Sequence, residues 1–434
     1  MLYRKISRLI EDHLRAQDPR ILLVDGARQV GKTYIIRYVG KQLFENFIEV
    51  NMVEDSLGER LFAQTRSVED FYLQLSMLHG DKMKEKQNTL VFLDEIQEYP
   101  QLLTLLKFLA QDGRFTYIAS GSLLGVTLAQ TTSIPMGSIR KVRMYPLDLE
   151  EFLLANGLNE AAIAALRAKF QARQALDEAM HNKMMDLFRK YLLVGGLPDA
   201  VNAFLESRNI QRVREVQREI HDYYAADASK YDAGRKLKIR RIYDLIPSNM
   251  ENKKKRVVAQ QIENKRGKTF GDYQDEFEYL ISAGIALNVQ AVSNPHFPLA
   301  ETEGKNLLKL YLNDVGILSA LLYGNNIRAI LEDVRSINLG SVYETVVASE
   351  LAAHGYKLFY YDNRTKGEVD YLIDDYNSLS VVPIEVKSGK DYTVHSALNH
   401  FVSNAEYYIQ TAFVLSNARE ITAKGKITYL PIYD

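Results

Sequence analysis

The N-terminal third alternates helical and strand periodicities. Leu2, Ile6, Ile10 and Leu14 recur at helical spacing and predict an amphipathic helix over residues 2–14. Ile21-Leu22-Leu23-Val24 is a short unbroken apolar run, the pattern of a strand buried on both faces. A helix is expected from about Lys32, followed by strands at Phe47–Asn51, Thr89–Glu95 and Phe115–Ser120. Strands separated by helices imply a parallel sheet covered on both faces, with ligands at the carboxyl ends of its strands. Residues 149–224 read as helical, interrupted by the turn Gly195-Gly196-Leu197-Pro198. Residues 230–323 mix helices with short strands, and Gly284–Val289 looks like a strand entering a hairpin. From about residue 336 the order reads helix, strand, strand, helix, strand. There is no internal repeat and no low-complexity linker.

Chemistry sharpens the first part. Gly26-Ala27-Arg28-Gln29-Val30-Gly31-Lys32-Thr33 fits the phosphate-loop pattern GxxxxGK[ST], and it sits between a strand and a helix, as that motif requires. Loop amides and the helix N-terminus form a cradle for phosphate oxygens. Lys32 is assigned to the β- and γ-phosphates of ATP, and the Thr33 hydroxyl to Mg²⁺. Asp94 and Glu95 close an apolar strand. Asp94 is expected on Mg²⁺ through water, and Glu95 as the general base that polarises the attacking water.

The five segments 26–33, Leu93-Asp94-Glu95-Ile96-Gln97, Ser120-Gly121-Ser122, Tyr145–Phe152 and Gly195–Pro198 together resemble one large prokaryotic group of AAA-type ATPases, which carry a C-terminal domain of uncharacterised role. The resemblance spans nearly the whole chain. It implies that Ser120 is the polar sensor of the γ-phosphate. It also implies that Pro198 packs against adenine, where a simple helix break is the competing reading. Arg140 and Arg143 lie between the sensor strand and the Tyr145-Pro146 turn. They are candidates for an arginine finger, alongside the plainer reading of surface arginines. A finger would act on a neighbouring copy and imply a homo-oligomer.

Charge changes the picture in the middle of the chain. The 434 residues carry a net charge of only −1. Yet Arg235, Lys236, Lys238, Arg240, Arg241, Lys253, Lys254, Lys255, Arg256, Lys265, Arg266 and Lys268 face only Asp244, Glu251 and Glu263, a local excess of nine positive charges. Such asymmetry suits a phosphate backbone, so DNA is the expected partner of residues 235–268. A solvated charged face or an acidic protein partner are the alternatives. Helical spacing of Ile239, Ile242, Leu245, Val257, Val258, Ile262, Phe277, Leu280 and Ile281, then a hairpin, suggests a winged helix, and the family resemblance supports it.

Near the C-terminus, Glu368–Asp374 alternates like a strand and Val381–Lys387 is its partner. Residues two apart share a face, so Glu385 and Lys387 project together and Asp370 meets them. Two carboxylates suit Mg²⁺, and a lysine beside them can orient or deprotonate water. Glu344, on the preceding helix, completes the set. The arrangement resembles the PD-(D/E)xK nuclease superfamily. A solvated hairpin edge, or acids kept only for binding, stays open as the alternative.

Composition excludes little else. The chain has no cysteine, so neither disulfides nor cysteine-bound zinc hold it together. His79, His221 and His296 are scattered without metal-ligand spacing. There is no signal-peptide pattern at the N-terminus and no apolar stretch near the roughly 18–20 residues of a membrane span. A cytoplasmic location without a membrane partner is expected. The fold class expected is α/β: a P-loop NTPase with parallel sheet and helical lid (1–225), a winged-helix middle domain (226–330) and a C-terminal α/β restriction-endonuclease-like domain (331–434). The leading functional reading is a Mg²⁺-dependent ATPase that binds DNA, with a C-terminal domain that cuts or holds it. The alternative is a non-catalytic ATP-gated switch or scaffold whose nuclease-like domain only recognises a partner.

Overall fold

The structure is a computed structural model that describes residues 2–122, 137–227, 235–252, 254–302, 304–332, 337–389 and 391–434. It divides into two compact units, Met1–Tyr145 with Ser282–Gly284, and Pro146–Ile281 with Ile285–Asp434. This differs from the three-part division expected above. The helices between 149 and 227 fall in the second unit.

In the first unit, the apolar runs become the middle of a sheet. Strands β1 (Ile21–Asp25), β2 (Asn46–Asn51), β3 (Thr89–Asp94), β4 (Thr116–Gly121) and β5 (Ile139–Arg143) lie in the order β2-β3-β4-β1-β5. All neighbouring pairs are parallel. β1 and β3 are buried along their whole length, which is why they carry no polar alternation. β4 inserts between β1 and β3, with Val24 opposite Ser120 and Leu93 opposite Ala119. The helix Val68–His79 starts with a Ser67/Asp70 capping box. Pro100 opens the next helix, and Gly113 closes it in the left-handed conformation. These helices bury Phe71, Leu75, Leu102 and Leu106 against the strands. Among the described residues, no helix is long and apolar enough to cross a membrane.

The second unit holds an eight-stranded sheet. Its strands are β6 (Ala286–Val292), β7 (Gly304–Leu312), β8 (Phe359–Asn363), β9 (Gly367–Asp375), β10 (Ser380–Lys387), β11 (Ala412–Ser416), β12 (Thr422–Lys424) and β13 (Ile427–Pro431), in the order β12-β13-β11-β10-β9-β8-β6-β7. Helices Lys236–Glu251, Ala259–Glu263 and Gln274–Ser282 precede the β6–β7 hairpin, so the helix–hairpin order expected for a winged helix is present. The hairpin is not a free-standing wing, however. β6 pairs in parallel with β8, and the hairpin forms the edge of the C-terminal sheet. The physical reason is burial: five of the seven β6 residues are buried, more than a solvent-exposed wing provides. The strand pair Glu368–Asp374 and Val381–Lys387 forms as read. β8 and two of the three final strands were not expected.

The Gly195-Gly196-Leu197-Pro198 turn is a packing junction. Gly195 has φ +72° and lies against the Asp314 carboxylate. The Gly196 amide donates to Asp314 at 2.6 Å, and the Leu147 amide donates to the Gly196 carbonyl at 2.7 Å. The buried Arg214 guanidinium donates to the carbonyls of Leu193 and Gly316, while the Gln217 amide donates to those of Leu193 and Val194. Together they satisfy the Leu193 and Val194 carbonyls at the end of helix Glu178–Val194. Burial lowers the Arg214 guanidinium to about 10.

Candidate functional site

β1 ends at Asp25, and the chain turns through Gly26 (φ +150°), Gln29 (φ +61°) and Gly31 (φ +95°) before helix Lys32–Leu43 begins. A side chain at Gly26 would sit 2.3 Å from the Met144 carbonyl oxygen, so the approach of the β5 end demands glycine. Gly31 caps the helix without a side-chain hydrogen bond. Successive turns of this kind aim backbone amides inward. The buried Lys32 ammonium donates to the carbonyls of Gly26 (2.9 Å) and Ala27 (2.8 Å). Burial lowers its pKa, opposed by the charges of Glu95, Asp25 and Asp94. The loop is braced from outside by the buried Arg4, which donates to the carbonyls of Val30 (2.8 Å) and Tyr145 (2.6 Å).

The residues expected at the strand ends converge. Thr33 Oγ1 donates to Asp94 Oδ2 at 2.8 Å, and Ser120 Oγ donates to Asp94 Oδ1. The β4 insertion places Ser120 next to both β1 and β3. Burial pushes the Asp94 carboxyl up, while the Ser120 and Thr33 hydroxyls pull it back. Glu95 adopts φ +51°, a conformation side-chain-bearing residues rarely hold. Its Oε2 accepts from Gln97 Nε2 at 2.5 Å and Ser122 Oγ at 3.2 Å, and Arg28 Nε reaches Ser122 at 3.1 Å. Gln97, Ser122 and Arg4 were not singled out for roles in the sequence. Gln97 and Ser122 stood inside the quoted motifs, whereas nothing local marked Arg4.

Of the two finger candidates, Arg143 is engaged within its own unit. It donates to Asp25 Oδ2 at 2.9 Å and to the Ser282 carbonyl. Asp25 is buried and also pairs with Lys141 at 3.2 Å. Arg140 lies on the edge strand β5, opposite Leu22 and half-buried. Pro198, in the second unit, is the first residue of helix Pro198–Ser207, the position where proline lacks only an amide that would be unpaired anyway.

In the second unit, helix Gly340–Ala353 carries Glu344, β9 carries Asp370, and β10 carries Glu385 and Lys387. Glu344 and Glu385 are buried. Asp370 accepts from the Val386 amide at 2.8 Å, and Lys387 pairs with Glu385 at 2.8 Å. The four expected residues therefore do come together. Two further lysines join them. Lys255 pairs with Glu344, which also accepts from Tyr311 OH at 2.9 Å. Lys309, fully buried on β7, pairs with Glu368 at 2.6 Å and lies 4.5 Å from the Tyr360 ring centre. Burial would raise Glu344, but the Lys255 and Lys309 ammoniums hold it below its ordinary value. Burial beside Glu385 and Glu344 pushes Asp370 well up. Burial also raises Glu385, despite Lys387. Among the described residues, no three acidic or imidazole groups are arranged to hold a metal ion. Lys309 was legible as a lone charge in the apolar run Leu307–Leu312. Lys255 was counted only as part of a basic stretch.

That stretch is less positive in space than along the chain. Arg235 pairs with Asp275, Arg256 with Asp362 and Glu368, and Lys268 with Asp272. Several of these acids lie far away in sequence. Lys236, Arg241, Lys254 and Arg266 are exposed; Lys253 lies outside the described residues. A cleft of about 1020 Å³ is lined by Lys254, Arg256, Gln260, Lys268 and Phe270, among others.

Residues 18–153 match the family described as "AAA domain". That match covers most of the first unit. Beyond this AAA domain, residues 185–328 match a domain of unknown function (DUF8612), and residues 339–434 another (DUF4143). The first of these spans crosses the expected 225/226 boundary. Comparison with curated proteins gave no match. Among solved structures, a Walker-type ATPase of Pyrococcus abyssi is 16% identical, with 74% of this chain and 96% of that chain covered and a TM-score of 0.43. The Orc1 protein of Aeropyrum pernix, in complex with DNA, is 16% identical over 75% and 92%, with a TM-score of 0.30. Cdc6p from Pyrobaculum aerophilum is 14% identical over 77% and 95%, with a TM-score of 0.27.

Proposed function

We propose that the chain is a Mg²⁺-dependent ATPase whose nucleotide cycle is coupled to DNA binding by its basic middle, with the C-terminal carboxylate cluster as its cleavage site. The observation that carries the first half is the hydrogen-bonded chain Thr33–Asp94–Ser120 beside the Lys32 loop. Gly26 to Thr33 would hold the phosphates, with Lys32 exchanging its two carbonyl partners for phosphate oxygens. The Thr33 hydroxyl and Asp94 carboxylate are oxygen donors of the kind Mg²⁺ takes, and they already lie against each other. Bound Mg²⁺ would neutralise charge on the phosphates. Glu95 takes the proton of the attacking water, and Ser120 reads the γ-phosphate. Arg140 acts on a neighbouring copy. The cleft at Lys254 and Lys268, with the exposed Lys236 and Arg241, supports a phosphate-backbone partner.

Lys32→Ala is expected to abolish ATP binding by calorimetry while circular dichroism is unchanged; retained turnover would overturn the assignment. Phosphate release by the wild type should rise with added DNA at low salt and lose that stimulation at high salt. An ATPase rate indifferent to every DNA form would remove DNA from the reading.

A second reading is favoured by one observation. With Lys255 on Glu344 and Lys387 on Glu385, the C-terminal cluster is an ion-pair network. That suits a unit which recognises a partner without cutting. Strand breaks in the presence of Mg²⁺, lost in Asp370→Ala, would exclude this second reading.

A further inference from the structure

The carboxylates Glu344, Asp370 and Glu385 meet from a helix and two strands, yet one of the two cations paired with them, Lys255, comes from elsewhere. Lys255 belongs to a short strap. It begins at a turn where the Lys255 amide donates to Asn252, and it ends where the Val257 amide donates to the Leu308 carbonyl of β7. Within the strap, Lys255 has φ +47°, a left-handed conformation that side chains disfavour. This turn aims its side chain at Glu344, while Lys254 and Arg256 line the basic cleft. The strap therefore joins the cleft to the cluster.

A second feature is independent of the strap. Glu385 is only 6% exposed and its Oε2 has no hydrogen-bond partner. A buried carboxylate oxygen without a partner costs free energy unless something fills its coordination. Lys387 occupies only the other oxygen. The cluster thus presents unmet acceptor capacity alongside an imported ammonium.

We propose that the Lys255 ammonium holds the place of a divalent cation in the Glu344–Asp370–Glu385 cluster, and that a nucleic-acid backbone drawn into the cleft by Lys254 and Lys268 withdraws it. With Lys255 seated, Glu344 is tied to the ammonium and to Tyr311, and the three carboxylates are not arranged to hold a metal ion. With Lys255 withdrawn, Glu344 is released toward Asp370 and Glu385, and a cation bound there restores the neutralised charge. This rests on the reading of the cluster as nuclease-like, and it adds the regulation of that site.

Mn²⁺ alone is the probe, titrated by calorimetry into the full chain without nucleotide. Lys255→Gln keeps a hydrogen-bonding group for Glu344 but removes the charge. It is expected to bind Mn²⁺ at least tenfold more tightly than the wild type, and adding Asp370→Asn should abolish the gain. Equal Mn²⁺ affinity in Lys255→Gln and wild type would overturn the proposal, as would a gain that survives Asp370→Asn. Should Lys255→Gln fail to fold, the wild type decides. Mn²⁺ uptake that appears only with a single-stranded oligonucleotide, and is lost with Asp370→Asn, supports the lock; uptake unchanged by the oligonucleotide sinks it. A Lys255→Gln protein that gains Mn²⁺ but nicks no DNA keeps the lock and ends the nuclease reading alone.

Discussion

Glu95→Gln is expected to lower ATP turnover by roughly 10²–10⁴-fold, the usual contribution of a general base, while leaving ATP affinity within a few-fold. Glu95 stands directly after β3, and its amide donates to Asp94 Oδ1 at 3.1 Å. Its carboxylate is steered by Gln97 and Ser122, and Ser122 is in turn held by Arg28 of the phosphate loop. A glutamine at 95 is isosteric and still offers a carbonyl oxygen to Gln97, so the loop keeps its support and only the proton acceptor is lost. Phosphate release measured beside ATP affinity separates the two roles. If affinity falls as far as turnover, Glu95 shapes the pocket and is not the base. The steering also sets a subsidiary expectation: Gln97→Ala should reduce turnover less than Glu95→Gln does.

Gly196→Ala is expected to destabilise the second unit by about 3 kcal/mol or more, a size reserved for forced overlap in a packed core. An added Cβ would lie 2.0 Å from the Leu147 carbonyl oxygen and 2.7 Å from the Leu147 nitrogen. Both are backbone atoms, and the Leu147 carbonyl also accepts from Tyr191 OH at 2.7 Å. No side chain can swing away to relieve the clash. The two chain segments would have to part, breaking the Leu147–Gly196 hydrogen bond. Gly389→Ala, where nothing lies within 4 Å of the new atom, serves as the control. Its cost should stay within about 0.5 kcal/mol. Denaturant unfolding of both variants checks the contrast, and a Gly196→Ala cost near that of the control would show that the junction is loose.

That junction also explains why Gly195-Gly196-Leu197-Pro198 stood out along the chain. Each glycine answers a specific neighbour, Asp314 for Gly195 and the Leu147 backbone for Gly196. The proline starts the next helix. Neither glycine is explained by local sequence alone, because the partners lie some 50 and 120 residues away.

The phosphate loop, the buried strands and the pairing of β9 with β10 were fixed by local pattern. A glycine-bounded turn between an apolar run and a helix has few other uses, and alternation over seven residues can only be a half-buried strand. What local pattern could not decide was partnership. The insertion of β4 between β1 and β3, which brings Ser120 to Asp94, is a matter of chain crossing rather than of residue type. The β6–β7 hairpin joined the C-terminal sheet through the second edge of β6, which pairs in parallel with β8. The basic stretch looked like an unopposed field of charge, yet its Lys255 and Arg256 meet Glu344, Asp362 and Glu368 across roughly a hundred positions of chain. Electrostatic pairing follows distance in space, which sequence separation does not report. Many of the candidate residues that come together in each unit could thus be named from the chain, while folding alone determined that Lys255 and Lys309 would meet Glu344 and Glu368.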